Sequence, residues 1–207
     1  MAESSERFPL FPLGLVLLPG EVVPLHIFEE RYRIMIGECL ENGTEFGIVW
    51  SGDDGIRNVG CAAEVAQLIE TTEDGRMNIL AKGTRRFVLE RRIEDMPYPA
   101  ADVTWMDDTA DTEADEDAGA AARKAYAELV ERVTETRPDE ADLTELDAYG
   151  MASTIAFDAD EKQGLLELLS ETERMQMLAR LCTTALENLV RSQEAAARAS
   201  TNGKVHH

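Results

Sequence analysis

Apolar residues in the first hundred positions of the chain fall in short runs broken by turn residues. From Phe8 to Ile27 two such runs are joined by the turn Leu18-Pro19-Gly20-Glu21. Pro9, Pro12, Pro19 and Pro24 each remove a backbone donor and crowd the preceding turn, so a continuous helix is excluded here. Glu21 interrupts the run, and Glu3 and Glu6 precede it where an export signal would be basic. The pattern predicts two buried strands, roughly Phe8 to Leu10 and Val22 to Ile27. It predicts neither a signal peptide nor a membrane span.

The period then changes. Large apolar residues at 28, 32, 35, 36, 39 and 40 form a helical stripe, and Asn42-Gly43 supplies a stop. Strands are predicted at Phe46 to Trp50 and Val59 to Glu70. A turn at Glu73-Asp74-Gly75 leads to a returning strand from Met77 to Ala81. Further strands are expected at Arg85 to Arg91 and Asp102 to Trp105, with Pro97 and Pro99 between them. Residues 1–106 therefore read as a mostly β unit with one early helix.

Residues 107–117, DDTADTEADED, contain seven acids and no base, and predict a solvated linker. A calcium loop through Asp111, Glu113 and Asp115 is disfavoured, because Glu116 stands where the loop needs glycine and Ala122 where it needs glutamate. Helical spacing follows over residues 118–192. One helix is expected from Ala118 to Glu135, a second from Leu143 to Phe157, and a third from a capping box at Asp160 to Leu169. A fourth, opened by Ser170-Glu171-Thr172-Glu173, buries Leu178, Leu181, Cys182, Ala185, Leu186 and Leu189. Residues 193–207 read as a polar tail, and the terminal His206 and His207 carry no functional argument.

Charge sharpens this division. The 207 residues hold 20 basic and 41 acidic side chains, a net of -21. Residues 1–106 carry 10 bases and 18 acids, and residues 107–207 carry 10 and 23. Such a balance repels nucleic acid and anionic lipid. Hydrophobic residues at 44% and charged ones at 29% fit a soluble globular protein. Cys39, Cys61 and Cys182 are odd in number and lack any C-x-x-C spacing, which points to reduced core thiols and a cytoplasmic location.

Motifs for catalysis are missing from the sequence. It has no G-x-x-x-x-G-K-[ST] loop, no G-x-S-x-G elbow and no G-x-G-x-x-G. Outside the terminal pair the one histidine is His26, inside an apolar strand, where a structural role is the simpler reading. No ligand cluster for a metal and no cofactor motif is present, so the chain is read as non-enzymatic and cofactor-free. Two features invite a binding role. One is a basic island of Arg76, Lys82, Arg85, Arg86, Arg91 and Arg92 opposed within it by Glu90 alone. Its bland reading is a solvated strand face paired with the protein's own acids. The other is Trp50 and Trp105, each ending a predicted strand as a core cap or a groove anchor. Trp50, Arg85, Arg86 and Trp105 are the candidate peptide-binding residues. Alternation puts Arg85 on the face of Phe87 and opposite Arg86.

The order of motifs resembles the N-terminal substrate-binding domain of Lon-type ATP-dependent proteases. Phe11-Pro12-Leu13 and Leu18-Pro19-Gly20 resemble its first strand and turn. Val23 to Phe28, with Glu29, Arg31 and Tyr32, resembles its second strand and first helix. Phe46-Gly47-Ile48-Val49 and Val59-Gly60-Cys61 resemble the next two strands, Gly83 to Phe87 its G-x-x-R-F start, and Lys162 to Glu167 its K-Q-x-L-L-E helix. The resemblance implies an α+β fold, a PUA-like β-barrel followed by an α-helical bundle, and recognition of protein or unfolded polypeptide segments. No ATPase or Ser/Lys peptidase sequence accompanies it. The reading is thus a free-standing, non-catalytic peptide-binding module, an adaptor or regulator of proteolysis. PUA-like RNA binding is the alternative.

Overall fold

A computed structural model describes residues 4–109, 111 and 113–202. His206 and His207, and Ala110 and Thr112 of the acidic stretch, lie outside the described residues. The fold is mixed α+β, with one large sheet first and most helices after it. Contacts divide the chain into two units, one of residues 1–109 with 152–169, the other of 110–151 with 170–207.

The first unit holds β1 (Ser4–Leu13), β2 (Val22–Ile27), α1 (Glu30–Asn42), β3 (Phe46–Gly52), β4 (Gly55–Ile56), β5 (Val59–Thr71), β6 (Met77–Ile93) and β7 (Ala100–Met106). Strand order is β1-β7-β6-β5-β3-β4, with β2 attached to β6. The path returns on itself, because β1 also pairs with β3. That pairing is parallel and the others are antiparallel. A parallel neighbour needs a long crossover, and β2 and α1 supply it.

Two predicted strands, Met77 to Ala81 and Arg85 to Arg91, are one continuous strand of 17 residues. Lys82-Gly83-Thr84 does not break it, because Gly83 is a crossing point. A Cβ there would sit 2.2 Å from the Leu18 carbonyl oxygen. The Gly83 amide donates to the Glu21 carbonyl, and the Gly83 carbonyl accepts from Gly20, so the Leu18–Glu21 turn is laid across the strand. The missing side chain serves close backbone approach rather than a chain reversal. Phe87 is fully buried, and its ring fills the space where Gly47 and Gly60 lack side chains. Around it pack Phe8, Leu10, Val49, Ala62, Ala101 and Val103.

α1 begins at Glu30 with Glu29 as N-cap, and Gly43 ends it at φ 63°, its amide donating to the Cys39 carbonyl. Tyr32, Met35, Ile36 and Cys39 are buried as the stripe predicts. The two ends of that stripe are not: Phe28 is 59% and Leu40 38% exposed. Phe28 precedes the helix and follows the parity of β2. There Leu25 and Ile27 face in while His26 and Phe28 face out.

Residues 152–169 join the sheet, not the remaining helices. They contain α5, labelled in chain order, which runs Ala159–Glu167 and opens with Asp158 and Glu161 in a capping box two residues before the expected one. Lys162 Nζ lies 2.5 Å from Glu21 Oε1, and Gln163 Nε2 donates to the Val59 carbonyl at 3.2 Å. Arg86 closes the other end. Its guanidinium donates to the Leu166 carbonyl at 3.1 Å, to the Leu168 carbonyl, and to Asp108 Oδ1 at 2.5 Å. These carbonyls lie at the C-terminal end of α5, where a buried cation is favoured.

The second unit holds α2 (Glu116–Thr134), α3 (Glu140–Thr144), most of α4 (Ala148–Ala152) and α6 (Glu171–Asn202). The helix expected from Leu143 to Phe157 is instead α3 and α4, with residues 153–158 non-helical. Tyr126 and Leu129 of α2 are buried, as are Met175, Leu178 and Cys182 of α6. Leu181, Ala185, Leu186 and Leu189 are only half-buried. Glu171 is buried, accepting from the Ala148 amide and from Arg174 Nε, both at 2.7 Å. Burial pushes its carboxyl above the usual range despite these donors. The acidic stretch is tied down where it is described. Asp111 accepts from the Thr172 amide and hydroxyl, and Asp115 caps α2 through the Ala118 amide.

Candidate functional site

The four candidate residues do not converge. Trp105 lies edge-on to Phe8 at 5.2 Å and to Phe87 at 6.4 Å, with the Arg85 guanidinium 3.5 Å from its ring centroid. Arg85 also reaches Glu45 at 3.2 Å. Trp50 is capped separately by Arg57, 5.0 Å from its ring, and Arg57 lies 3.6 Å from Asp160. Arg86 is only 5% exposed and directed inward. Of the basic island, Arg76 pairs with Asp74 at 2.9 Å and Arg91 with Asp102 at 2.6 Å. Arg91 holds the Asp102 carboxyl below the usual carboxylate range. Most of the island thus meets the protein's own acids.

A different place has the shape of a binding site. Where β1 and β2 end and α1 begins, a cleft of about 250 Å³ is lined by Phe11, Pro12, Leu13, His26, Ile27, Phe28, Glu29, Arg31 and Tyr32. Phe11 and Tyr32 form its floor, with ring centroids 4.2 Å apart. Phe28 stands exposed beside it, stacked on His26 at 5.9 Å and 20°. Arg31 lies 4.6 Å over the Tyr32 ring and 2.7 Å from Glu29, placing a charge pair on the rim. His26 Nδ1 is fixed by Asn78 Oδ1 at 2.7 Å, and Asn78 in turn donates to Glu70. Burial raises the Tyr32 hydroxyl pKa, so it stays protonated at neutral pH.

Aromatic walls with a polar rim suit one apolar side chain of a polypeptide. Among the described residues no cluster of His, Cys, Asp or Glu could hold a metal ion. Phe28 was legible in principle. Reading it with the helix period hid it, whereas the strand period of Leu25 and Ile27 puts it outside.

The sequence matches the family model of the ATP-dependent protease La (LON) substrate-binding domain over residues 7–184. This chain belongs to that family. Its similarity to Lon protease of Methylocella silvestris is 26% identity over 201 residues, covering 87% of this chain and 24% of that protein. For Lon protease of Flavobacterium johnsoniae the figures are 23%, 205 residues, 90% and 25%. The chain thus spans about a quarter of the length of these curated relatives. The Lon N-terminal domain protein from Xanthomonas campestris superposes with a TM-score of 0.64 at 25% identity, covering 85% of this chain and 96% of that one. The N-terminal domain of Mycobacterium avium complex Lon protease shares the fold, with TM-score 0.64, 21% identity and coverage of 87% and 98%. The expected family and the mixed α+β fold are therefore established.

Proposed function

We propose that this Lon substrate-binding domain binds protein segments without catalysing a reaction, and serves as an adaptor or regulator of proteolysis in the cytoplasm. The observation that carries the reading is the exposed Phe28 beside an aromatic-floored cleft, in a family described by substrate binding. An exposed phenylalanine costs about 2 kcal/mol relative to a buried one, and an apolar side chain of a client recovers part of that. RNA binding is less well supported, because arginines 76, 85, 86 and 91 are already paired with acids. Three buried free cysteines fit a reducing compartment. Among the described residues no helix is long and apolar enough to cross a membrane.

The test is titration of the full chain with a labelled, permanently unfolded protein such as reduced, carboxymethylated lactalbumin. Saturable binding is expected, and Phe28→Ala should weaken it about tenfold, or roughly 1.4 kcal/mol. Because Phe28 is exposed, the variant should keep its circular dichroism. Absence of binding, or equal affinity for both proteins, would overturn the proposal.

A further inference from the structure

β5 outruns its neighbour. It pairs with β3 only at Cys61, Ala62 and Ala63. From Glu64 to Thr71 its single partner is β6, and its other side carries backbone groups with no partner among the described residues. Every residue from Ala66 to Thr71 is exposed. Two bulges lie here, at Val65/Gln67 and Leu68/Glu70, leaving Ala66 and Ile69 without an opposite residue on β6. A bulge breaks strict alternation. Adjacent residues Leu68 and Ile69 are accordingly both in solvent, at 43% and 54% exposure.

The other free edge of this region is β2, and it is guarded. Pro24 sits inside it and offers no amide. β5 has neither proline nor lysine. Its own charges are all acidic instead, Glu64 and Glu70. No Lys or Arg occurs between Arg57 and Arg76, whereas Glu64, Glu70 and Glu73 do; Asp74 of the following turn is already paired with Arg76.

We propose that the outer edge of β5, residues 64–71, receives an extended segment of another protein as an added strand, with basic and apolar residues alternating in it. The deduction rests on the protein-binding reading above and adds a second, chemically distinct contact to it. Free backbone groups select an extended chain, because a helix has its own satisfied. Leu68 and Ile69 supply the apolar contact, and the acids select lysine and arginine in the incoming strand. A second copy of this chain is disfavoured by its net charge of -21, and RNA is repelled by the same acids.

The probe is a synthetic octapeptide alternating lysine and valine, with a glutamate–valine peptide as its counterpart, added to the full chain. The readout is residue-resolved amide hydrogen exchange. The lysine peptide should protect amides within 64–71 and the glutamate peptide should not. Ile69→Lys and Leu68→Lys, both at exposed positions, should each weaken the lysine peptide at least fivefold. Protection confined to the Phe28 cleft, equal protection by both peptides, or protection of 64–71 in the free chain through dimerisation would each overturn the proposal. Unfolded lactalbumin separates the two readings. If it binds while neither peptide protects β5, the edge proposal fails and the protein-binding reading stands; if it does not bind, that reading fails.

Discussion

Each of the two units contains a buried arginine–carboxylate pair, but the pairs are built differently. In the helical unit Arg174 reaches Glu171 three residues earlier on one helix, with both side chains about 5% exposed or less. In the sheet unit Arg86 joins strand β6 to Asp108 and to the Leu166 and Leu168 carbonyls, 80 and 82 residues later. Lys162 and Glu21 are 141 residues apart. The first pair orders one helical turn and its neighbour Tyr149. The second set holds a distant segment onto the sheet. Burial makes each charge costly to leave alone, so removal of one partner tests what the pair restrains.

The largest expected effect is Arg86→Ala. It removes the guanidinium from Asp108 and its hydrogen bonds to the Leu166 and Leu168 carbonyls, a loss of about 3 to 5 kcal/mol. Amide exchange over 159–167 should accelerate more than exchange over 175–182. Arg174→Ala should give the opposite order. Equal loosening of both segments by both variants would erase the contrast between the two pairs.

A smaller effect is expected for Gly83→Ala. The new Cβ would meet the Leu18 carbonyl, and the turn must shift, at roughly 1 to 3 kcal/mol. Chemical denaturation should show a lowered midpoint with the helical unit unaffected. An unchanged midpoint would mean that the crossing of turn and strand is looser than the hydrogen bonds at Gly83 imply.

The smallest effect concerns the exposed pair Arg91–Asp102. Asp102 has a depressed carboxyl pKa, caused first by its hydrogen bond from Arg91. A depressed value means that the carboxylate's stabilisation is present above the unfolded pKa and is lost as pH falls through the folded one. Asp102→Asn should therefore lower the melting temperature slightly at pH 7, and the difference from the parent chain should vanish as the pH falls below about 4. Solvent screening keeps this change below that of either buried pair. A large loss at neutral pH would show that the surface pair restrains more than its exposure suggests.

Much of the sheet unit was readable because its signals are local. β2 begins and ends where the apolar run does, and the Glu73–Gly75 turn was visible as a cluster of turn residues. The long α6 was readable from its apolar repeat and from Ser170, whose hydroxyl accepts the Glu173 amide. The single helix expected across 143–157 was not formed. Residues 145–147 separate α3 from α4, and Asp147 accepts from the Gly150 amide there. Such a local cap competes with a continuous helix.

The sites were less legible. Arg85 and Arg86 are adjacent and chemically identical, yet one lies over Trp105 in solvent and the other is buried beneath α5. Alternation along a strand separates the two faces, but not which face a later helix will cover.

By itself the sequence determined the family, the succession of a strand-rich and then a helix-rich part, and the lack of recognisable catalytic motifs, because all of these are written in spacing and residue type along a short stretch. Only the tertiary structure decided that β6 is one strand, that residues 152–169 return to the sheet and that Arg86 is internal. Each of these depends on which distant segment takes a residue out of water. A buried charge or ring is defined by partners far away in the sequence, 80 positions for Arg86 and Leu166 and 141 for Lys162 and Glu21, and local periodicity does not carry that information.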